Sequence, residues 1–265
     1  MLFSKNEFMP RYLRPGSKVE KGCCFGSEYS VHPKWGLMER LYVRLFGVVD
    51  LPSRLRARIV FREVRKLGGN IFLDLGSGTG TYSFYLAREP SRQVWGVDTN
   101  ASRIEGCGLI AQQLHLDNAH FLAGSGHEGL CGFQSNSFDG ALAIEVIECL
   151  PDVTLALKEI FRLLKPGGYL IGHVPVIGHL REHEKWLLDD ANLPGLLTDA
   201  GFEIASYVPT FGRSVQSICR VFGWAARSRL LVSLTFPVLL LFSFLFRIES
   251  PDGQHRLFVA RKPLA

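Results

Sequence analysis

At 265 residues the chain is long enough for one large domain with a substantial buried core. Its 47% hydrophobic and 21% charged residues are those of an ordinary globular protein, and a formal charge of +5 supports no more than a weak preference for anionic surfaces. The cysteines show no CxxC spacing and no disulfide framework, and no apolar run follows Met1–Glu7 as in a secretory signal. The adjacent Cys23 and Cys24 have no His or Cys partner at ligand spacing, so no metal site is expected, and the expected compartment is reducing and cytoplasmic.

Residues 1–69 read as an Arg-rich helical lead-in or lid. Leu37, Leu41, Leu45 and Phe46 recur at helical spacing, and a second helix follows Pro52-Ser53 through Leu55, Ile59 and Val64. From Asn70 the pattern changes. Short apolar runs predict strands at 71–75, 93–98, 119–123, 138–144, 168–174, 202–208 and 256–261. Amphipathic segments at 80–88, 101–114, 152–164 and 190–200 predict helices between them. This alternation predicts an α/β domain over 70–265, a mostly parallel seven-stranded sheet with helices on both faces.

The sharpest local signal is Asp74-Leu75-Gly76-Ser77-Gly78-Thr79-Gly80, a strand end that turns on glycines into a helix. Glycine lets the backbone turn tightly and approach a ligand without a side chain intervening. No Lys or Arg occurs from Ile71 through Ala87, whereas a loop made for polyphosphate gathers cations. Asp74 instead suits a ligand with an ammonium and a sulfonium. S-adenosylmethionine fits that requirement; NAD and ATP do not. A second strand ends in Asp98, followed by Thr99, where a carboxylate can accept both ribose hydroxyls.

Together with the motifs that follow, the chain resembles the class I S-adenosylmethionine-dependent methyltransferases, and in particular their type 11, quinone-biosynthesis-like group. The resemblance runs from about Asn70 to Phe202. It is carried by the glycine loop, Gly96-Val97-Asp98, Asn136-Ser137-Phe138-Asp139, Glu145-Val146-Ile147-Glu148-Cys149-Leu150, Leu164-Lys165-Pro166-Gly167-Gly168, and Leu197-Thr198-Asp199-Ala200-Gly201-Phe202. It implies a Rossmann-like fold. Asp74 and the glycines, with Ser77, would hold the methionine part, and Asp98 the ribose. The adenine side would fall to Ser125 or His127, because the Asp often found there is missing. Glu145 and Val146 would line the methionine and sulfonium. Cys149 stands where relatives often carry His. Lys165-Pro166-Gly167-Gly168 reads as a structural stop between a helix and a strand.

A sulfonium is already an activated electrophile, so a base is needed only for a protonated acceptor. The candidates are Glu148 and His173 near strand ends, with His179 and His183 beyond. No Asn- or Asp-Pro-Pro-aromatic motif and no Pro-Cys nucleophile occurs, which argues against a nucleobase acceptor.

An insertion over 209–254 breaks the rhythm. No acid occurs from Ile204 to Ile248, and Arg213, Arg220 and Arg227 form a basic stripe opposite Val215, Ile218 and Phe222. The uncharged run Leu230–Phe246 stands at the short limit of about 17 residues for a spanning helix, and Pro237 interrupts it. Both of its ends return to one sheet, which excludes a single crossing. Either a monotopic membrane segment or a lid remains, and both imply a small hydrophobic or lipid-like acceptor. The competing expectations are an RNA or protein methyltransferase that uses Arg54, Arg56, Arg58, Arg62 and Arg65 as a footprint, and a module that binds cofactor without turnover.

Overall fold

A computed structural model describes residues 50–125, 129–176, 188–245 and 247–264. The expected helix around Leu37–Phe46, the Cys23-Cys24 pair, His127, His179 and His183 lie outside the described residues.

Asp50 starts the first helix, α1 (Leu51–Leu67). Its carboxylate accepts from Ser53 N at 3.5 Å and from Ser53 Oγ at 2.7 Å, Pro52 sits in the first turn where no N–H is needed, and Gly68 at φ 74° ends it. The remaining elements alternate: β1 (Ile71–Leu75), α2 (Thr81–Ala87), β2 (Gln93–Asp98), α3 (Ala101–Leu114), β3 (Ala119–Ala123) and β4 (Phe138–Ile144). A short 3-10 turn, Ile147–Cys149, leads to α4 (Val153–Leu163), β5 (Leu164–Pro175), α5 (Leu193–Asp199) and β6 (Glu203–Thr210). Asn100 caps α3 through Arg103 N at 3.1 Å, and Asp152 caps α4 through Leu155 N at 2.8 Å. The insertion then folds as two helices, α6 (Arg213–Ala225) and α7 (Arg229–Phe242), before β7 (His255–Arg261) closes the sheet.

Among the described residues, the strands form one seven-stranded sheet in the order β3-β2-β1-β4-β5-β7-β6. Only β7 runs antiparallel to its neighbours β5 and β6, so the fold is the expected Rossmann-like α/β architecture. Reversing the last strand lets both ends of the insertion meet the carboxyl edge of the sheet, where Thr210 pairs in register with His255.

The sheet has an apolar core on each face. On one, Leu73, Ala141, Leu170 and Phe258 pack against Leu157, Ile160 and Leu197 of α4 and α5. On the other, Phe72, Leu142, Ile171 and Val259 pack against Leu51, Leu55, Ile59 and Val64 of α1. Val215 and Phe222 of α6 and Val232, Phe236 and Leu240 of α7 join that second core. The two helices of the insertion therefore form a hairpin stacked over α1.

Arginines of α1 hold the hairpin in place. Arg54 lies over the Phe236 ring at 5.8 Å. Arg58 lies over Phe244 at 4.0 Å and donates to Ser243 Oγ at 3.2 Å. Arg62 pairs with Glu63 and with Glu249, and Arg65 donates to the Tyr85 hydroxyl at 3.0 Å. These side chains are spent on the insertion and on neighbouring helices rather than spread as a cationic face.

The outward side of the hairpin is apolar and open. Leu230, Leu234, Val238, Leu241 and Leu245 recur along α7 and just beyond it, each at least half exposed, with Trp224 and Val221 of α6 beside them. Arg213 and Arg220 are exposed on α6, and Arg227, expected from its spacing on the same helix, is exposed in the turn that follows α6. The α7 helix continues through Pro237. No helix among the described residues is long and apolar enough to cross a membrane.

Phe236 carries the hairpin's inner packing, being fully buried between α1 and α6. Replacing it with alanine is expected to cost about 3–5 kcal/mol, read as a fall in the denaturant midpoint. Leu234→Ala on the outward face should change it by less than about 0.5 kcal/mol.

Candidate active site

Gly76, Gly78 and Gly80 take φ of 69°, 55° and 80°, a region that side-chain-bearing residues rarely occupy. Gly76 N and Ser77 N donate to Val97 O at 2.8 and 3.1 Å, and Gly78 N donates to Asp98 Oδ2 at 2.8 Å. The loop is thus stitched to the end of β2. The other Asp98 oxygen accepts from Asn100 N at 2.9 Å, and Thr99 lies exposed beside it. Gly124 N donates to Asp98 O at 3.0 Å, which brings the half-buried Ser125 to the same edge. A Cβ on Gly76 would lie 2.5 Å from Val146, so Val146 closes directly over the loop.

Asp74 is buried, and its Oδ2 accepts from Ser83 N at 3.0 Å and Ser83 Oγ at 2.6 Å. It therefore ties α2 to β1. Burial pushes its carboxyl up to about 7, although the Ser83 bonds oppose the shift. The sequence-predicted residues Asp74, Gly76, Ser77, Gly78, Gly80, Asp98, Thr99, Ser125, Glu145 and Val146 all converge at the carboxyl ends of β1, β2, β3 and β4.

They suit an adenosylated amino acid. The loop offers backbone and small side chains, a Cβ at Gly78 would meet nothing nearer than 4.0 Å, and no cation lies between Ile71 and Ala87. Ser77 Oγ is buried with no hydrogen-bond partner among the described residues, a donor left over for a ligand.

Glu145 and His173 do not behave as the sequence suggests. Glu145, at φ 55° just past β4, gives its carboxylate to partners outside the glycine loop. Its Oε1 accepts from His173 Nδ1 at 2.7 Å, while Oε2 lies 3.3 Å from Arg56 and 3.8 Å from His255 Nε2. Of these two neighbours, Val146 is the one in contact with the loop at Gly76. Burial by itself would push Glu145 up, but the Arg56 charge and the His173 hydrogen bond hold it at about 2.

His173 has no exposed surface. Its Nε2 faces the Thr210 hydroxyl at 3.0 Å, and burial holds its pKa below the usual value against the pull of Glu145. The neutral ring therefore donates from Nδ1 to Glu145 and accepts from Thr210. With both nitrogens occupied inside the protein, His173 cannot take a proton from an acceptor, contrary to the sequence-based expectation. Glu148 is also buried, within the Ile147–Cys149 turn.

The sequence reading missed Arg56, His255 and Thr210 as site residues. Arg56 is one of several arginines on α1, and nothing local distinguishes it. His255 and Thr210 flank the insertion, outside every motif, and only the antiparallel pairing of β7 brings them to the edge.

A cleft of about 240 Å³ lies at the opposite, amino edge of the sheet, between Gly68, Lys165 and Tyr169. Asp139 beside it accepts from Asn70 N, Ile71 N and Lys165 Nζ. That supports the structural reading of Lys165–Gly168.

Gly76→Ala combines a disfavoured φ with a clash against Val146. It is expected to abolish S-adenosylhomocysteine binding by calorimetry and to lower stability by about 1–3 kcal/mol.

The comparisons agree with this geometry. A sequence profile described as a methyltransferase domain matches residues 67–206. The chain is similar to a demethylmenaquinone methyltransferase of Lactococcus lactis subsp. lactis, 35% identical over 112 residues, 42% of this chain and 44% of that one. It is also similar to a probable phthiotriol/phenolphthiotriol dimycocerosates methyltransferase 2 of Mycobacterium ulcerans, 30% identical over 45% of this chain and 46% of that one. The chain thus spans about half the length of the curated relatives it matches. Among solved structures, the [4+2]-cyclase SpnF superposes with a TM-score of 0.60 at 22% identity, covering 79% of this chain and 82% of that one. That likeness concerns the fold alone. With more than half of the chain inside the family profile and the glycine loop in place on the matching sheet, the chain belongs to the class I S-adenosylmethionine-dependent methyltransferases.

Proposed function

We propose that this protein transfers the methyl group of S-adenosylmethionine to a small hydrophobic or lipid-like acceptor, working at a membrane surface. Bound in the loop, the cofactor supplies a methyl group already activated on a sulfonium. The protein's own part is to hold and align. Gly76–Gly80 and Ser77 receive the amino-acid end, Asp98 the ribose, Ser125 the adenine side, and Val146 closes over the loop.

The observation that carries the acceptor reading is the outward face of the hairpin. Leu230, Leu234, Val238, Leu241, Leu245 and Trp224 make one apolar stripe, with Arg213 and Arg220 on the neighbouring helix, Arg227 in the turn between the two, and no acid from Ile204 to Ile248. An apolar face with arginines beside it suits a shallow seat among anionic headgroups, with the charged ends reaching the headgroups. The hairpin rises from Thr210 and His255, at the same edge as the glycine loop, so an apolar acceptor following it arrives where the methyl group would be. Relatives named for demethylmenaquinone and for phthiotriol dimycocerosates support an acceptor with a large apolar part.

Sedimentation with anionic liposomes tests the surface. The wild type should pellet, and Leu234→Glu combined with Leu245→Glu should weaken partitioning about 10-fold or more while leaving S-adenosylhomocysteine binding intact. A wild type that stays in the supernatant, or activity confined to polar water-soluble acceptors, would sink this reading.

Asp74 gives the cofactor site a pH signature. An unfolded aspartate ionises near about 4. The folded one keeps its proton up to about 7, so the stability it contributes is complete below the unfolded value and lost as pH rises through 7. A cationic ligand favours the carboxylate, so binding should release a proton. Affinity for S-adenosylmethionine should therefore climb by up to tenfold per pH unit from about pH 5.5 toward 7. Calorimetry in buffers of different ionisation enthalpy reads the proton, and Asp74→Asn should abolish the release.

A further inference from the structure

A hydroxyl acceptor must lose a proton as it is methylated, and of the residues predicted from sequence for that task the two that are described are closed off: His173 has no exposed surface and Glu148 is buried. Among the described residues, one further imidazole stands at this edge. His255 opens β7 and keeps 12% of its side chain exposed. Its ring stacks on His173 with centroids 5.1 Å apart at 20°, and it lies 5.1 Å from the Phe211 ring. Its Nε2 stands 3.8 Å from Glu145 Oε2.

The surroundings suit a base. Glu145 faces His255 from the segment after β4, Arg56 from α1 reaches the same carboxylate, and His173 lies alongside from β5. The β6 neighbour is the neutral Thr210, its register partner. The Thr210 hydroxyl and Glu145 hold the His173 ring, and His173 in turn fixes Glu145 Oε1, which leaves Oε2 toward His255. An imidazolium formed at His255 thus finds a prepositioned counter-ion, the arrangement that acid–base catalysis needs.

We infer that His255 is the catalytic base on the acceptor side, with Glu145 as its counter-ion and His173 and Thr210 as positioning residues. This rests on the S-adenosylmethionine reading above, and it assigns the acceptor's reacting group as a hydroxyl. The acceptor O–H bond breaks and its proton passes to His255 Nε2. The acceptor oxygen gains the methyl carbon, the electron pair of the broken carbon–sulfur bond stays on sulfur, and the imidazolium later returns its proton to water.

The test uses the full chain with anionic vesicles and two probes: para-dodecylphenol, and its ortho-nitro analogue, which is largely a phenolate at about pH 8 and needs no base. His255→Gln should lose about 100-fold or more in kcat/KM toward the phenol and less than about threefold toward the nitrophenolate, with S-adenosylhomocysteine binding retained. The wild-type rate toward the phenol should rise with pH along a limb that Glu145→Gln moves to lower pH, because removing the anion makes the imidazolium less stable. That arm stands even if His255→Gln fails to fold. Equal losses on both probes, no loss on either, or an unmoved limb overturn the assignment. So does a wild type that binds S-adenosylhomocysteine yet methylates neither probe. A wild type that does not bind S-adenosylhomocysteine overturns the cofactor reading itself.

Discussion

A carboxylate largely withdrawn from water at the end of a central strand must be neutralised or protonated, because an isolated buried charge is costly. Glu145 meets that constraint with partners from across the molecule. Arg56 comes from the first described helix, His173 from β5 and His255 from the start of the last strand. Thr210, from β6, completes the arrangement through His173. No two of these partners are neighbours in sequence, so the cluster exists only when the helix lies on the sheet and β7 has inserted between β5 and β6. Removing Arg56 would leave the carboxylate's charge uncompensated in a low-dielectric place, which makes the cluster a lock on the native arrangement.

The same edge joins two environments of opposite character. Behind the polar cluster, the hairpin and α1 share one apolar core, and on the far side of the hairpin an unbroken apolar stripe faces outward. The stripe is exposed because α7 has more apolar residues than one core contact can cover. Val232, Phe236 and Leu240 take the inward positions, so Leu234 and Val238 between them point out. The hairpin therefore cannot be excised without opening the core, since its inner face belongs to the domain as fully as α1 does.

The fold itself leaves the reaction open. A [4+2]-cyclase shares the architecture at 22% identity, and folds of this kind host unrelated chemistries on one scaffold. What separates one member from another is the set of side chains delivered to the carboxyl edge by segments outside the common core. In this chain these are α1 before the sheet and the roots of the hairpin near its end.

Much of the architecture was legible in the residues alone, because it depends on local chemistry. The short apolar runs and the helical patterns between them located the strands within a few residues, and β1, β2, β3 and β4 match their predicted bounds. The glycine loop declares itself because positive φ admits few residues other than glycine, and the absence of nearby cations marks the class of ligand. Asp98 at its strand end followed from the same logic. Tertiary structure decided what lies between distant segments. Local sequence marked Asp74 for a ligand's cation, while the fold also gave it the task of holding Ser83. It made His173 an acid–base candidate, while packing sealed the ring and turned it into a support. Arg56 looked like any of its neighbours on a basic helix until α1 was set against the end of β4. His255 carried no motif at all. Its place depends on an antiparallel register that forms only after a long insertion has folded, and no short-range pattern encodes such a long-range contact.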